Sequence, residues 1–317
     1  MLTRFSSLGF IWLLTFFIPG YVWAAEVAVL TSADIPLYTQ AVDSFKTVLP
    51  RGTTVKEYQL KGDVYEGRQF GRMIRASKTD VVFAVGLKAA LVAKLEVPDT
   101  PVILGMVLDP GDHGMPTSNM IGISMRVPPE RQFSTIRSMM PSLKRVGLIY
   151  DPSKTGSLAQ QARREAKRLG IELVASPIAA TEDLPIATRT LLSSVEALWI
   201  IRDETIVSQD STRFLIEMAL DRNIPVFGFS PILVEYGALF ALSVDPLDVG
   251  RQAGLLAGSI LSGESIPLGR LVDPARPRLT LNLNTAEFLG ITPPVETLKF
   301  ADTLIGGPGT VAGGRAR

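Results

Sequence analysis

Short runs of apolar residues alternate along this chain with longer segments whose apolar residues recur at helical spacing, and this alternation constrains the fold most strongly. The runs VAVL (27–30), VVFAV (81–85) and RVGLIY (145–150) are almost uninterrupted. Because successive side chains of a strand point to opposite faces, such strands need cover on both sides, which predicts parallel sheets between helices. The pattern restarts near Leu143. We therefore predict an α/β fold with two doubly wound parallel-sheet lobes joined by a hinge.

The same periodicity predicts the individual elements. Strands are predicted at 27–30, 54–60, 81–85, 101–106, 145–150, 171–176, 197–201, 225–229, 238–244 and 279–283. Helices are predicted at 37–49, 68–77, 88–95, 130–140, 157–169, 184–194, 211–222 and 247–261. Residues 301–317 become rich in glycine from Gly306 onward and are predicted to form a flexible tail, because few bulky apolar side chains are present to offset the entropy of ordering.

The first residues have the pattern of a secretory signal peptide. Arg4 precedes an apolar run at 5–18, Pro19 and Gly20 follow it, and small residues lead up to Ala24. A permanent membrane anchor is the alternative, but the run of about fourteen residues is shorter than the roughly 20 that a membrane-spanning helix needs. We predict that residues 1–24 are removed by cleavage after Ala24, and that the mature protein is periplasmic.

Composition excludes several classes of function. The chain has no cysteine and one histidine, His113, so it has no disulfide, no thiolate metal site and no multi-histidine metal site. Thirty-two Lys and Arg residues balance 31 Asp and Glu residues, which gives no reason to expect a nucleic acid as partner. We expect no metal, no cofactor and no catalytic residues.

Ligands of open parallel sheets bind beside the carboxyl ends of the strands, where polar residues follow many of the apolar runs of this chain. The predicted ligand-binding residues are Thr31, Ser32, Gly86, Leu87, Lys88, Asp109, Asp151, Ser153, Arg202, Asp203, Glu204, Thr205, Ser230 and Asp245. Several are also good helix-capping residues, which is the alternative role for each. Arg202 can bind a carboxylate through two hydrogen bonds, or it can pair with Asp203 or Glu204.

Three stretches resemble a known family: VGLIYDPSKTGS (146–157), IPVFGFSPILVEYGALFALSVDPLDVGRQAG (224–254) and PRLTLNLNTAEFLGITPP (277–294). They are similar to the ABC transporter substrate-binding proteins of the tryptophan/tyrosine-binding type, which have the type I periplasmic-binding fold. The resemblance implies one lobe at 25–143 plus 240–270 and another at 144–239 plus 271–300. It also implies a small organic solute bound in the cleft between them, closure by hinge motion, and docking on a membrane permease.

The chain departs from this family in the loop that follows ALWII (197–201). Relatives usually have Pro-Thr-Asp-Asn-Thr there, whereas this chain has Ile201 followed by RDET (202–205), and Ser230 stands where relatives often have aspartate. The aromatic amino acid specificity of the family is therefore not carried over.

We predict that the protein is a monomeric solute-binding component of an importer. Two other functions remain as alternatives. A sensor of the same fold would present its solute to a membrane receptor or kinase. An exported enzyme would have to use Asp203 and Glu204 as an acid and base, without a nucleophile, since Ser230 is not flanked by the glycines of a G-x-S-x-G motif. His113 lies in a Gly-Asp-His-Gly turn and is predicted to be an exposed loop residue.

Overall fold

Two sheets organise the chain in a computed structural model that describes residues 25–307. The expected signal peptide, its cleavage after Ala24 and residues 308–317 of the expected tail lie outside the described residues. Within the described residues, no helix is both long and apolar enough to cross a membrane.

The first sheet consists of six parallel strands. These are β1 (Glu26–Thr31), β2 (Thr54–Gln59), β3 (Val81–Val85), β4 (Val102–Gly105), β5 (Met120–Ile123) and β11 (Arg270–Val272). Their order is β11-β5-β4-β3-β1-β2. β5 was not predicted, because its four residues MIGI follow a loop rich in Gly and Pro and are too few to show a period.

The second sheet has seven strands. These are β6 (Arg145–Tyr150), β7 (Glu172–Pro177), β8 (Ala197–Trp199), β9 (Val226–Gly228), β10 (Phe240–Ser243), β12 (Arg278–Asn282) and β13 (Thr303–Ile305). Their order is β13-β12-β10-β9-β8-β6-β7. The pairing of β10 with β12 is antiparallel, and the other pairs in this sheet are parallel.

Eleven α-helices connect the strands of the described residues. They are α1 (Pro36–Thr47), α2 (Val64–Ala76), α3 (Leu87–Glu96), α4 (Pro129–Met139), α5 (Pro152–Arg168), α6 (Leu184–Leu192), α7 (Gln209–Leu220), α8 (Pro231–Glu235), α9 (Pro246–Leu261), α10 (Leu283–Phe288) and α11 (Val295–Phe300). The predicted helices correspond to α1–α7 and α9, whereas the three that were not predicted are only five or six residues long.

Helices cover both faces of each sheet, as the apolar strands predict. In β1, Val27 and Val29 pack on the side of α1 and α9, whereas Ala28 and Leu30 pack on the side of α3. In the second sheet, α4 and α5 lie on one face and α6 and α7 on the other. The doubly wound α/β fold is therefore confirmed.

The chain passes between the two sheets at three connections within the described residues: 124–128, 244–245 and 273–277. Two predicted boundaries differ from this arrangement. The predicted first lobe includes 240–270, but β10 pairs with β9 and β12 of the second sheet. The predicted second lobe includes 271–300, but Leu271 and Val272 pair with β5 of the first sheet. Apolar runs that belong to opposite sheets look alike in sequence, so only strand pairing separates them.

The predicted flexible tail at 301–317 is wrong for its first residues. Residues 303–305 form β13, which pairs in parallel register with Thr280, Leu281 and Asn282 of β12. The glycine-rich stretch begins only at Gly306, after Leu304 and Ile305, and the edge of the second sheet supplies backbone hydrogen bonds to these residues.

Close packing of α9 against α1 attaches the second connection to the first sheet. A Cβ atom at Gly250 would overlap the carbonyl oxygen of Ala41, and one at Gly254 would lie 2.6 Å from the carbonyl oxygen of Phe45. The two helix backbones can approach this closely only because both positions lack a side chain.

We expect Gly250→Ala to lower the free energy of unfolding by about 2–3 kcal/mol, because the added methyl group must push the backbone of α1 away. Gly258→Ala in the same helix is the matched control, since its Cβ would lie 3.7 Å from Pro50. It should leave stability unchanged or raise it by up to about 1 kcal/mol through its better helix propensity. Urea denaturation measures the free energy of unfolding of both variants. An equal change in the two would contradict the packing argument.

Candidate ligand-binding site

A cavity of about 520 Å³ lies where the carboxyl ends of strands from both sheets meet the connections at 124–128 and 244–245. The first sheet and α1 supply one wall, the second sheet supplies the other, and the connections form the base. The lining residues are Leu37, Gln40, Met106, Leu108, Met125, Arg126, Val127, Gln132, Leu158, Trp199, Ile201, Arg202, Phe229, Ser230, Pro231, Leu242, Ser243, Val244, Asp245, Pro246, Arg278, Thr280 and Thr303. Cavities that bind small molecules have this size and this largely apolar lining.

The loop after β4 forms part of the first wall and holds an unusual backbone. Met106 and Asp109 have φ angles of 59° and 44°, in the left-handed region that side chains other than glycine seldom adopt. Leu108 between them is 46% exposed and lines the cavity. Backbone conformations of this kind cost about 1–3 kcal/mol each and occur most often at ligand-binding sites.

Aromatic residues form the second wall. Trp199 is buried, and its indole N–H donates a hydrogen bond to Gln132 Oε1 at 2.8 Å. The side-chain amide of Gln132 in turn donates to the carbonyl oxygen of Val127 at 3.2 Å, which ties this wall to the first connection. The half-buried ring of Phe229 follows β9 and also lines the cavity.

Charged residues at the base join the second connection to the start of β12. Asp245 accepts a hydrogen bond from the backbone N–H of Leu247 at 2.7 Å and so caps α9. Its other carboxylate oxygen contacts Arg278 Nε, and Asp248 Oδ2 lies 3.7 Å from the same nitrogen. The charge of Arg278 is therefore balanced by two carboxylates.

Arg202 and Arg126 carry the remaining positive charges of the lining. The Arg202 guanidinium lies 4.8 Å from the ring centroid of Phe229, a cation–π contact. Partial burial lowers the pKa of Arg202, the charge of Arg126 lowers it further, and the charge of Asp109 opposes this shift. A terminal nitrogen of Arg126 lies 2.5 Å from an oxygen of Asp109.

Three of the predicted ligand-binding residues line this cavity: Arg202, Ser230 and Asp245. Asp109 lines an adjoining recess that shares Arg126 with the cavity. Arg202 stacks on Phe229 and forms no salt bridge with Asp203 or Glu204 within the part of the chain that the structure describes.

Four other predicted residues form a hydrogen-bonded network behind the cavity that joins the loop after β8 to the start of α5. Asp203 is 1% exposed and accepts hydrogen bonds from the Asp151 N–H at 2.9 Å and the Thr155 hydroxyl at 2.5 Å. Asp151 accepts from the hydroxyls of Thr205 at 2.6 Å and Ser153 at 2.7 Å. These hydrogen bonds lower the pKa of Asp151, and the bond from Thr205 has the largest effect. The network holds the backbone on the far side of Arg202.

The predicted residues of the first sheet lie outside the cavity lining. Thr31 is buried at the end of β1. The next residue, Ser32, accepts a hydrogen bond at its Oγ from the Ala89 N–H at 2.9 Å, where α3 begins. Gly86 has a φ of 84° and leaves no room for a Cβ atom beside Tyr38 and Ser32.

The last three predicted residues make contacts elsewhere. Lys88 donates to the carbonyl oxygen of Gly62 at 2.7 Å, and Leu87 packs in the core. Glu204 is exposed and lies 3.3 Å from Lys154.

Most of the apolar lining was not predicted. Met106, Leu108 and Phe229 stand at or just after predicted strands, so the rule that led to the polar candidates also points to them. Arg126 and Gln132 had no such signal, because they lie on a connection and a helix whose position depends on the packing of the two sheets. Within residues 25–307, no three His, Asp or Glu side chains are grouped so as to hold a metal ion.

Comparison with known families identifies the chain. The family model described as ABC transporter substrate binding protein matches residues 53–305, which is most of the sequence. The chain belongs to this family. The resemblance noted from the sequence is thus confirmed, and the family is one of substrate-binding proteins and not of enzymes.

Two curated relatives are similar in sequence. A tyrosine-binding protein of Clostridioides difficile is 27% identical over 199 residues, which cover 60% of this chain and 57% of the relative. An uncharacterized protein of Rickettsia prowazekii is 25% identical over 220 residues, which cover 68% of each. The chain therefore spans less than two thirds of the tyrosine-binding protein.

Solved structures share the fold. The ligand-free, open form of a substrate-binding protein with adhesive properties from Clostridium difficile has a TM-score of 0.72 at 19% identity and covers 89% of this chain and 99% of that one. An ABC domain in complex with L-Trp from Streptococcus pneumoniae has a TM-score of 0.56 at 21% identity and covers 89% and 100%. At these identities the comparison supports the type I periplasmic-binding fold alone.

The Asp151 network predicts a pH dependence of stability. Because hydrogen bonds lower the pKa of Asp151 from its ordinary value of 3.8, its ionised form stabilises the folded protein above that pH. This stabilisation is lost as the pH falls through the lower pKa of the folded state. We expect Asp151→Asn to be less stable than the unmodified protein at pH 7, and the difference to narrow as the pH falls below about 4.

Urea denaturation at pH 7, 5 and 3.5 measures this difference, with Asp99→Asn on the exposed loop before β4 as the control for loss of one carboxylate. A difference between the Asp151→Asn protein and the unmodified protein that stays constant over this range would show that the charge of Asp151 is not involved.

Proposed function

We propose that this chain is the periplasmic solute-binding component of an ABC-type importer, and that it holds a small organic solute in the cavity between its two sheets. One observation carries this proposal. The cavity is lined from both sheets, with Leu108 and Met106 after β4 on one side and Phe229 and Arg202 after β9 and β8 on the other. Its base is formed by the connections at 124–128 and 244–245.

A cavity of this kind couples binding to a change of shape. A solute that contacts both walls stabilises the arrangement in which the walls are closer, so it shifts the protein toward a closed form. The connections 124–128, 244–245 and 273–277 are the segments about which the sheets would move. We accordingly divide the chain into a first lobe at 25–123 plus 246–272 and a second at 129–243 plus 278–305.

Family membership supports the importer role over that of a sensor, because the family is described by its part in ABC transport. The signal peptide pattern that ends at Ala24 supports export to the periplasm, where a closed, loaded protein would meet the membrane permease. The named ligands of similar proteins are tyrosine and tryptophan. Arg202 and Glu204 change the charges of the loop after β8, so the ligand of this chain has to be determined directly.

A thermal-shift screen of metabolites tests the proposal. At a hundredfold excess over its Kd, a bound solute stabilises the folded protein by about 2.7 kcal/mol, which is a readable rise in Tm. We expect small organic solutes to raise the Tm. If a broad panel of amino acids, organic acids, sugars and nucleosides at about 1 mM leaves the Tm unchanged, the solute-binding proposal is wrong.

Leu108→Trp tests whether the cavity is the binding site. The larger ring would occupy space between the walls, so the Kd of the best solute from the screen should rise about tenfold or more. Leu95→Trp is the matched control, because Leu95 is 60% exposed on α3 and does not line the cavity. Both variants should keep the Tm of the unmodified empty protein. Calorimetry measures the Kd, and an unchanged value in Leu108→Trp would place the solute elsewhere.

A further inference from the structure

The charges that line the cavity fall into two groups. At the base, Arg278 lies beside both Asp245 and Asp248, so its charge is already balanced. At the other end, Arg126 and Arg202 have one carboxylate between them, that of Asp109. This second group keeps one positive charge that no described carboxylate neutralises.

Arg202 is the cation without an anionic partner. Its guanidinium stacks on Phe229 and forms no salt bridge within residues 25–307. Its N–H donors form no hydrogen bond among the described residues, and a guanidinium can bind a carboxylate through two such donors.

Arg126 has a donor that is buried and unused. Its Nε has no hydrogen-bond partner among the described residues, although the solvent does not reach it. Native proteins seldom retain a buried donor without a partner. At the base, Arg278 Nε and Asp248 Oδ2 also form no hydrogen bond, but they lie 3.7 Å apart and carry opposite charges. Arg126, in contrast, acts on a second positive charge, that of Arg202. The terminal nitrogen of the same guanidinium contacts Asp109, which lies on the strained loop after β4.

We propose that Arg126 and Arg202 together bind the carboxylate of the solute, and that the substrates of this protein are organic carboxylates with an apolar body. This inference rests on the proposed function and adds the chemical class of the ligand. Arg126 reaches the ligand from the first connection, and Arg202 reaches it from the second sheet. The apolar body lies against Met106, Leu108 and Phe229, which line the same cavity.

Asp109 has a defined role in this arrangement. In the empty protein it occupies Arg126 and reduces the repulsion between the two arginines, whose charges influence each other. A bound carboxylate takes over this role and must compete with Asp109 for Arg126. The carboxylate also lies between a connection and the second sheet, so it offsets a repulsion that would otherwise grow as the lobes close.

Matched pairs of acids and amides provide the first test, because the members of a pair differ only in the carboxylate. The probes are 3-phenylpropanoate with 3-phenylpropanamide, hexanoate with hexanamide, and phenylalanine with phenylalaninamide, each titrated by calorimetry into the purified protein. We expect an acid to bind at least about tenfold more tightly than its amide. We also expect binding of the acid to weaken as NaCl rises from about 20 mM to about 500 mM.

Arg202→Gln should weaken binding of the acid about 10- to 100-fold and leave binding of the amide unchanged, so that the preference within the pair disappears. Arg213→Gln is the matched control. Arg213 is also exposed and stacks on an aromatic ring, that of Tyr236 at 4.4 Å, but it does not line the cavity. It should retain the full preference for the acid.

Asp109→Asn should bind the acid about three- to tenfold more tightly, because it removes a competing carboxylate from Arg126. A residue that only maintained the shape of the loop would weaken binding when replaced, so this variant separates the two roles. Circular dichroism and the Tm of the empty variants establish that each one is folded.

The outcomes distinguish this inference from the function on which it rests. An amide that binds as tightly as its acid, or a preference for the acid that survives in Arg202→Gln, overturns the carboxylate site but leaves a solute-binding protein. Binding by no member of the three pairs also overturns it, and the metabolite screen then decides separately whether the cavity binds any solute. Weaker binding of the acid by Asp109→Asn overturns the role of Asp109.

Discussion

The central strands of both sheets are apolar on both faces, and the rest of the structure follows from the need to cover them. Ala28 and Leu30 require α3 on one side of the first sheet, while Val27 and Val29 require α1 and α9 on the other. A sheet that is covered on both faces leaves only its ends for polar loops. Each sheet therefore exposes its carboxyl edge, and the chain joins the two sheets beside those edges.

The loops at these edges divide into those that hold the structure and those that line the cavity. The carboxylates of Asp203 and Asp151 accept hydrogen bonds from the hydroxyls of Thr155, Thr205 and Ser153. Few of their acceptor positions therefore remain for a ligand. Their network fixes the loop from which Arg202 extends. The position of Arg202 at the cavity thus depends on Asp151 and Asp203, whose hydrogen bonds fix the backbone of the loop.

Electrostatic balance distinguishes the two ends of the cavity. Arg278 with Asp245 and Asp248 joins the second connection to β12, and the charges of these groups balance one another. Arg126 and Arg202 share Asp109, which leaves an excess positive charge at this end. An anionic group bound there would complete an arrangement that the protein by itself leaves incomplete.

The sequence by itself determined the α/β class, the division into two sheets, most of the strands and helices, and the family, because these depend on local periodicity and on continuous stretches of residues. Three of the residues that it predicted, Arg202, Ser230 and Asp245, line the candidate cavity, because each directly follows a predicted strand at the carboxyl edge of the sheet. Only the tertiary structure decided that β10 belongs to the second sheet and β11 to the first, because similar apolar runs pair with either. It alone brought Arg126 and Gln132 to the cavity and assigned Asp151 and Asp203 to the supporting network. Which polar groups remain free for a ligand depends on which partners the fold brings within hydrogen-bond distance, and sequence spacing does not contain that information.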